Sequence, residues 1–167
     1  NQQARFLVGI DPTAMVSGDL DGDGRDDIVV ANSYAAGSLS VLLGNADGTL
    51  GPERRFISDQ VLLHSLAMIV KDVDADGIRD LVLASFYADL VVVMKGQGDG
   101  TFADALIPNT TPVGEGPRAL ATGDFNRDGL IDVAVAHVSA GNLFVLPGNG
   151  DGTFGRRPKR LSPPQAT

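Results

Sequence analysis

The chain reads GDLDGDGRDDIVVA at residues 18–31, KDVDADGIRDLVLA at 71–84 and GDFNRDGLIDVAVA at 123–136. The first aspartates of these copies lie 53 and 52 residues apart. A second motif follows each copy: LLGNADGTL from Leu42, MKGQGDGTF from Met94 and LPGNGDGTF from Leu146. Two motifs that share one period predict a repeated structural unit. The units cover about residues 12–64, 65–116 and 117–167.

Each unit has the pattern of four short β-strands. The first unit offers them at residues 13–17, 28–32, 39–43 and 54–58, and the second at 66–70, 81–85, 89–95 and 103–108. The second run of each unit is continuously apolar, which indicates a strand covered on both faces. Nineteen of the 21 acidic residues are Asp, which favours turns over helices. The pattern predicts an all-β chain of three four-stranded antiparallel β-propeller blades.

The composition argues against several functions. The formal net charge of −8 is unsuited to nucleic acid, whose phosphates require clustered Lys and Arg. No apolar stretch approaches the ~18 residues that span a bilayer, so we expect no membrane insertion. The chain has no cysteine, which excludes a disulfide framework, a thiolate metal site and a Cys nucleophile.

The two motifs, in the forms GDxDGDGxxDIVVAN and VLLGNxDGTF, resemble the FG-GAP/VCBS repeats that form the blades of integrin-α-like β-propellers. The resemblance covers nearly the whole chain. It implies a propeller with one calcium ion per blade, in the loop that joins the first two strands, and an extracellular role in interaction or adhesion. The chain departs from the repeat pattern at four positions: Ser65, Lys71, Ala75 and Arg127.

The Asp-rich loops themselves also predict calcium. Calcium prefers six to eight oxygen ligands, which a short loop supplies at alternate positions. Positions 1, 3, 5, 7 (through its carbonyl) and 9 are Asp19, Asp21, Asp23, Arg25 and Asp27; Asp72, Asp74, Asp76, Ile78 and Asp80; and Asp124, Asn126, Asp128, Leu130 and Asp132. Carboxylates so close together repel one another without a cation, so we expect about three Ca²⁺ per chain.

Two other interpretations fit the loops less well. An EF-hand needs an acid at position 12, where this chain has Val30, Leu83 and Val135. Ordinary Asp-rich turns with solvated carboxylates explain one such loop more easily than three in register. The acids of the second motif (Asp47, Asp99 and Asp151) are in contrast predicted to form simple hairpin turns. The apolar residue after each of those turns is expected to fill the space between blades.

No catalytic site is evident in the sequence. The only two histidines are His64 and His137, and both are expected to have structural or surface roles. The Asp residues that could act as acids or bases already belong to the loops. We therefore predict that the chain is not an enzyme.

The resemblance implies that the loop between the second and third strands lies on the face opposite the calcium loops, where integrin-like propellers meet their ligands, and we expect a partner surface there. Its aromatic residues are Tyr34, Phe86 and Tyr87, with Arg118 and His137 nearby in the repeat. The ligand would be a protein or a glycan. A lectin, or an accessory propeller of a polysaccharide-degrading enzyme, is the alternative function, although the chain has no Trp to stack on sugars.

Three blades are fewer than the four to eight of closed propellers. We expect either a homodimer that closes a six-bladed ring or the remainder of a longer propeller. Residues 1–11 are predicted to supply a strand of a neighbouring blade, because residues 3–8 align with 54–58. Residues 156–161 are an alternative source of the fourth strand of the last blade, although Pro158 makes them a weak strand.

Overall fold

The computed structural model of the chain describes residues 4–34, 37–57, 64–103, 109–138 and 141–155. These ranges contain eleven β-strands: β1 (Pro12–Gly18), β2 (Asp27–Asn32), β3 (Ser38–Leu42), β4 (Arg54–Ile57), β5 (Ser65–Lys71), β6 (Asp80–Ser85), β7 (Leu90–Met94), β8 (Asn109–Pro112), β9 (Pro117–Gly123), β10 (Asp132–His137) and β11 (Leu143–Leu146). They contain no helix, and so none that is long and apolar enough to cross a membrane.

The strands form three antiparallel sheets, one for each repeat. The first sheet has the order β1-β2-β3-β4, the second β5-β6-β7-β8, and the third joins β9, β10 and β11. These sheets confirm the all-β prediction and are consistent with propeller blades. The three sheets by themselves do not close a ring. A fourth strand in the third blade, predicted near residues 156–161, lies outside the described residues.

The fourth strand of the second blade lies later in the chain than predicted, at Asn109–Pro112 instead of 103–108, of which 104–108 are outside the described residues. Ala103 still belongs to the preceding turn, because its N–H donates to the carbonyl of Lys95 (2.7 Å). Within the described residues the strand starts at Asn109, which pairs with Val93. Its final Pro112 is tolerated because β8 is an edge strand.

Side chains of the middle strands fill the two junctions between blades. Leu81 and Leu83 pack with Val29 in the junction of the first and second blades. Val82, between them in sequence, packs with Val133 in the junction of the second and third. All five side chains are fully buried. Alternate residues of one strand thus enter different junctions, which accounts for the continuous apolar runs in the sequence.

The apolar residue after each Asp-Gly-Thr turn also contributes to these junctions. Phe102 is buried between the first two blades, where its ring meets that of Phe56 edge to face at 5.9 Å. Phe154 is buried between the second and third blades. The expectation that these residues fill the space between blades is thereby confirmed for both of them.

The first strands of the sheets lie next to one another: β1 contacts β5, and β5 contacts β9. One hydrogen bond joins the first two directly, from the hydroxyl of Thr13 to the carbonyl of Ser65 (2.9 Å). First strands that converge in this way are the arrangement found around a propeller axis.

The two ends of each blade carry different elements. The Asp-rich loop and the Asp-Gly-Thr turn lie at one end, and the connection between the second and third strands lies at the other. Residues 4–11 form no strand, and they lie against the face of the first blade that points away from the second, where Asn32 and Ser40 are buried. There the N–H of Gly9 donates to the hydroxyl of Ser40 (3.1 Å).

Candidate metal centres

The three Asp-rich loops share one set of hydrogen bonds. The aspartate at position 1 accepts a bond from the N–H of the glycine at position 6, at 3.0, 3.0 and 2.9 Å for Asp19, Asp72 and Asp124. The side chains at positions 3 and 5 each accept from the N–H two residues later. These bonds curl each loop back on its first aspartate, so acids that are spread along the sequence come close together.

The same fold requires left-handed backbone at two positions of each loop. The glycines at position 6 have φ values of 81°, 88° and 87°. Position 4 is also left-handed, with φ of 77° at Gly22, 61° at Ala75 and 64° at Arg127. Ala75 and Arg127 are strained there, because a Cβ disfavours this conformation.

Two triads of carboxylates converge. Among the described residues, one oxygen each from Asp19, Asp21 and Asp27 lie within 4.8 Å of one another. Asp72, Asp74 and Asp80 form the same arrangement in the second loop. Both triads use positions 1, 3 and 9, so they could hold a metal ion.

Among the described residues, the other predicted acidic ligands belong to no such triad. The position-5 acids Asp23 and Asp76 are exposed and outside the triads. In the third loop Asn126 stands at position 3 and donates through its amide to Asp128 (2.8 Å). This loop therefore offers Asp124, Asp128 and Asp132 with one neutral oxygen ligand.

The position-9 acids are buried, and both oxygens of each accept backbone hydrogen bonds. Asp27 is fully buried and accepts from the N–H of Leu20 (2.8 Å) and of Gly44 (2.8 Å). Asp80 and Asp132 repeat these two bonds at 2.9 to 3.0 Å. We call this pair of bonds the carboxylate clamp, because it ties the Asp-rich loop of each blade to the first glycine of the second motif (Gly44, Gly96 or Gly148).

The clamp explains the first glycine of the second motif. A Cβ at Gly44 would lie 2.5 Å from the carbonyl oxygen of Asp26, and the clashes at Gly96 and Gly148 would be closer still, at 2.0 and 2.2 Å. Only glycine lets the turn approach the loop this closely. Sequence reasoning assigned position 9 to the metal alone and missed this second, structural role.

Burial, with a smaller contribution from neighbouring carboxylates, raises the pKa of two triad members. Burial raises the pKa of Asp80, and the charges of Asp74 and Asp76 add to it, although the two N–H groups of the clamp act in the opposite direction. Burial likewise raises the pKa of Asp21, with further contributions from neighbouring carboxylates. A cation bound in the loops would remove this repulsion.

One buried oxygen in the second loop has no protein partner. Asp72 accepts a hydrogen bond through Oδ2, whereas its Oδ1 is buried without a hydrogen-bond partner. A buried carboxylate oxygen of this kind is costly unless something pairs with it. Its position within the triad is that of a metal ligand, so the donor set fits a hard cation such as calcium.

Basic side chains contact acids in the first two loops. Arg25 pairs through its guanidinium with Asp23. In the second loop the Nζ of Lys95 lies 2.6 Å from Oδ2 of Asp74, and this contact raises the pKa of Lys95. The side chain of Asp74 is only 8% exposed.

Sequence reasoning did not find Lys95, although the repeat contained a signal. The equivalent residues in the other units are Leu43 and Pro147, so Lys95 is the charged exception at its position. For Arg25 the sequence predicted a role for the carbonyl, and the pairing of its side chain with Asp23 is an addition from the structure.

The Asp-Gly-Thr turns are structural, as predicted. Asp47 accepts hydrogen bonds from the N–H (3.0 Å) and the hydroxyl (2.6 Å) of Thr49, and these bonds lower its pKa. Gly48 has a φ of 79°. Asp99 and Asp151 form the same bonds in the other two turns.

Residues of the predicted partner surface lie at the end of the blades opposite the Asp-rich loops. Tyr34 and Tyr87 are 66% and 68% exposed. Phe86 is half-buried, in contact with the rings of Tyr87 and His64.

The two other residues predicted there differ from each other. Arg118 is exposed near the start of β9. His137 is instead 7% exposed, with its ring against Phe144, so its side chain does not reach the surface.

Two family models match the chain. A model of the FG-GAP-like repeat matches residues 72–135, and a model of the FG-GAP repeat matches residues 12–42. Together the matches cover more than half of the 167 residues and include all three Asp-rich loops in full. No curated protein matches the chain.

Proposed function

The chain belongs to the FG-GAP repeat family, and we propose that it is a calcium-stabilised β-propeller module that binds a partner outside the cell and catalyses no reaction. Repeats of this family are typical of extracellular proteins and are generally non-catalytic. The observation that carries the calcium assignment is the pair of carboxylate triads, one of which includes a buried oxygen without a partner.

Each of the first two loops would hold its ion through the aspartates at positions 1, 3 and 9. The acid at position 5 and the carbonyl at position 7 are close in sequence and complete the oxygen-rich set. Calcium suits this set better than magnesium, because calcium accepts more protein oxygens and a less regular geometry. A bound ion supplies positive charge that offsets the crowded carboxylates and so stabilises the first hairpin of each blade.

The third loop is proposed to bind calcium more weakly than the first. Asn126 replaces one acid, so the loop contributes three carboxylates instead of four. The amide oxygen of Asn126 remains a suitable neutral ligand, and the loop hydrogen bonds are the same as in the other two. Affinity of such loops depends on the number of charged ligands.

The partner surface is proposed at the rim that carries Tyr34 and Tyr87. These are the two tyrosines of the chain, they occupy adjacent blades, and both are more than half exposed. Aromatic side chains with a polar tip are effective at protein interfaces. The calcium loops lie at the opposite end and would stabilise the blades without contacting the partner.

Calcium titration of two matched variants tests the proposed metal site. Asp21→Asn removes a triad charge, and Asp26→Asn makes the same change in the same loop at an exposed residue outside the triad. We expect Asp21→Asn to weaken calcium binding to the first loop at least about tenfold, and Asp26→Asn to change it by less than about threefold. Isothermal titration calorimetry on the whole chain measures both. Equal effects of the two variants, or no heat of calcium binding to the parent chain, would refute the assignment.

A further inference from the structure

The residue that follows the third strand of a blade packs against the next blade. Leu43 follows β3, and a Cβ at Gly100, in the turn of the second blade, would lie 2.5 Å from Cδ2 of Leu43. Lys95 follows β7, and a Cβ at Gly152, in the turn of the third blade, would lie 2.8 Å from Cε of Lys95. Both glycines are buried. The methylene stem of Lys95 is therefore packed into the junction between the second and third blades.

The ammonium of Lys95 is close to acids of two blades. Its Nζ lies 2.6 Å from Oδ2 of Asp74, in the second loop, and would lie 3.5 Å from a Cβ at Gly152, the neighbour of Asp151 in the third blade. The hydrogen bond to Asp74 raises the pKa of Lys95, and the charge of Asp151 adds to this effect. Bonds from Thr153 lower the pKa of Asp151, and the charge of Lys95 lowers it further. Lys95 thus interacts with an acid on each side of the junction.

A calcium ion in the second loop would compete with this ammonium for Asp74. The side chain of Asp74 is buried and belongs to the carboxylate triad of that loop. A divalent ion and an ammonium that contact the same carboxylate repel each other. The stem of Lys95 limits where the ammonium can go, because it is packed against Gly152. The acid next to this contact is Asp151, which is exposed.

We propose that Lys95 is a switch with two positions: its ammonium pairs with Asp74 while the second loop is empty, and with Asp151 once calcium fills that loop. The switch rests on the calcium site proposed above. Rotation about the outer bonds of the side chain moves the ammonium while the stem stays in the junction. Calcium in the second loop thereby adds an ion pair between the second and third blades. Because such coupling is reciprocal, Asp151 must raise the affinity of the second loop for calcium.

The switch is confined to the second loop. Leu43 and Pro147, which correspond to Lys95 in the other two units, carry no charge. Asp21, which corresponds to Asp74, has no ion pair in the part of the chain that the structure describes. The first loop is therefore an internal reference, whose calcium affinity should not depend on the acid in the turn of the following blade.

Two matched variants test the switch by calcium titration of the whole chain. Asp151→Asn removes the second acceptor of the ammonium, and Asp47→Asn makes the same change in the turn of the first blade, where the acid has the same bonds to its threonine. The NMR signal of the Gly77 N–H, which donates to Asp72, reports on the second loop. We expect Asp151→Asn to raise the calcium dissociation constant of this loop by about 2- to 5-fold, the range of one exposed ion pair, and Asp47→Asn to change it by less than about 1.5-fold. Equal effects of the two variants would overturn the switch.

A double-mutant cycle separates the switch from the general effect of charge. In the Lys95→Leu chain, Asp151→Asn should change the dissociation constant of the second loop by less than about 1.5-fold, because no ammonium remains to be accepted. An effect as large as in the parent chain would refute the switch and leave the calcium site in place, whereas a Gly77 signal that does not respond to calcium would refute both. Calcium should also shift the carboxylate carbon signal of Asp151 more in the parent chain than in Lys95→Leu. Equal shifts would show that the new ion pair does not form.

Discussion

Replacing Lys95 with leucine should strengthen calcium binding by the second loop. Leucine is the residue at the equivalent position 43 of the first blade, so the change copies a side chain that the repeat already accommodates. The Lys95 ammonium lies 2.6 Å from Oδ2 of Asp74, and Asp74 is a member of the carboxylate triad. A calcium ion must either share Asp74 with this ammonium or displace it.

The two possibilities bound the effect. If the ammonium moves away, the cost is that of one partly exposed ion pair, about 0.5 kcal/mol, or about 2-fold in affinity. If it stays, it lies about 5 Å from the ion, given the 2.6 Å contact and a calcium–oxygen distance of about 2.4 Å. Repulsion between single and double positive charges at that distance is about 1.7 kcal/mol in water, or nearly 20-fold. We therefore expect Lys95→Leu to lower the calcium dissociation constant of the second loop by about 2- to 20-fold.

Site-resolved titration is needed because the chain has three loops. The backbone N–H of Gly24, Gly77 and Gly129 donates to the first aspartate of its own loop, so the NMR signal of each glycine reports on one loop. Calcium titration of parent and variant should shift the midpoint of Gly77 alone. Arg118→Leu is the control, because it also removes one positive charge, at an exposed residue near the other end of the third blade.

An unchanged midpoint for Gly77 in Lys95→Leu would refute the reasoning. Equal tightening of all three loops would do so as well, because it would assign the effect to net charge instead of to the contact with Asp74. Arg118→Leu would show the same uniform change in that case.

Three further predictions concern the stability of the metal-free chain. Asp27→Asn should lower the free energy of unfolding by about 2 kcal/mol in a urea titration, because the amide leaves one buried N–H of the carboxylate clamp without an acceptor; an unchanged midpoint would contradict the clamp. Arg127→Gly should raise it by about 0.5 kcal/mol, because the relief of left-handed strain, about 1–2 kcal/mol, exceeds the entropy cost of glycine; a lower melting temperature would oppose this. The pKa of Asp47 is lowered by its bonds to Thr49, so this turn contributes stability above the ordinary Asp pKa that is lost as pH falls through the lowered value. Urea titrations from about pH 5 to about pH 2 should accordingly show a shallower acid loss for Asp47→Asn than for the parent, and identical slopes would argue against this role.

The repeated pattern made the blades and their loops predictable. A single Asp-Gly sequence is common in turns and is weak evidence for a metal site. Three copies with the acids at the same positions are much more specific evidence. The same register predicted strand positions closely: β2 and β6 match their predicted ranges within one residue. The prediction was possible because both features depend on short stretches of sequence.

The contacts that the sequence did not reveal join residues far apart in the chain. Lys95 meets Asp74 across 21 residues, and Asp27 meets Gly44 across 17. Both contacts depend on the register between neighbouring strands, which the period of the repeat does not specify. His137 was predicted to lie near the partner surface because of its place in the repeat. Its side chain is instead buried against Phe144 at the end of β10.

The carboxylate clamp has a consequence for how much change each end of the blade can absorb. The Asp-rich loops span eight residues in all three blades, whereas the connections at the far rim span five, four and five residues. A clamped loop cannot gain or lose a residue without releasing a buried carboxylate. The far connections already differ in length, although Asp89 holds the connection of the second blade in place by accepting a bond from the N–H of Gly116 (3.0 Å). Foreign peptides grafted between the second and third strands would therefore be displayed on a framework whose folding determinants sit at the other end.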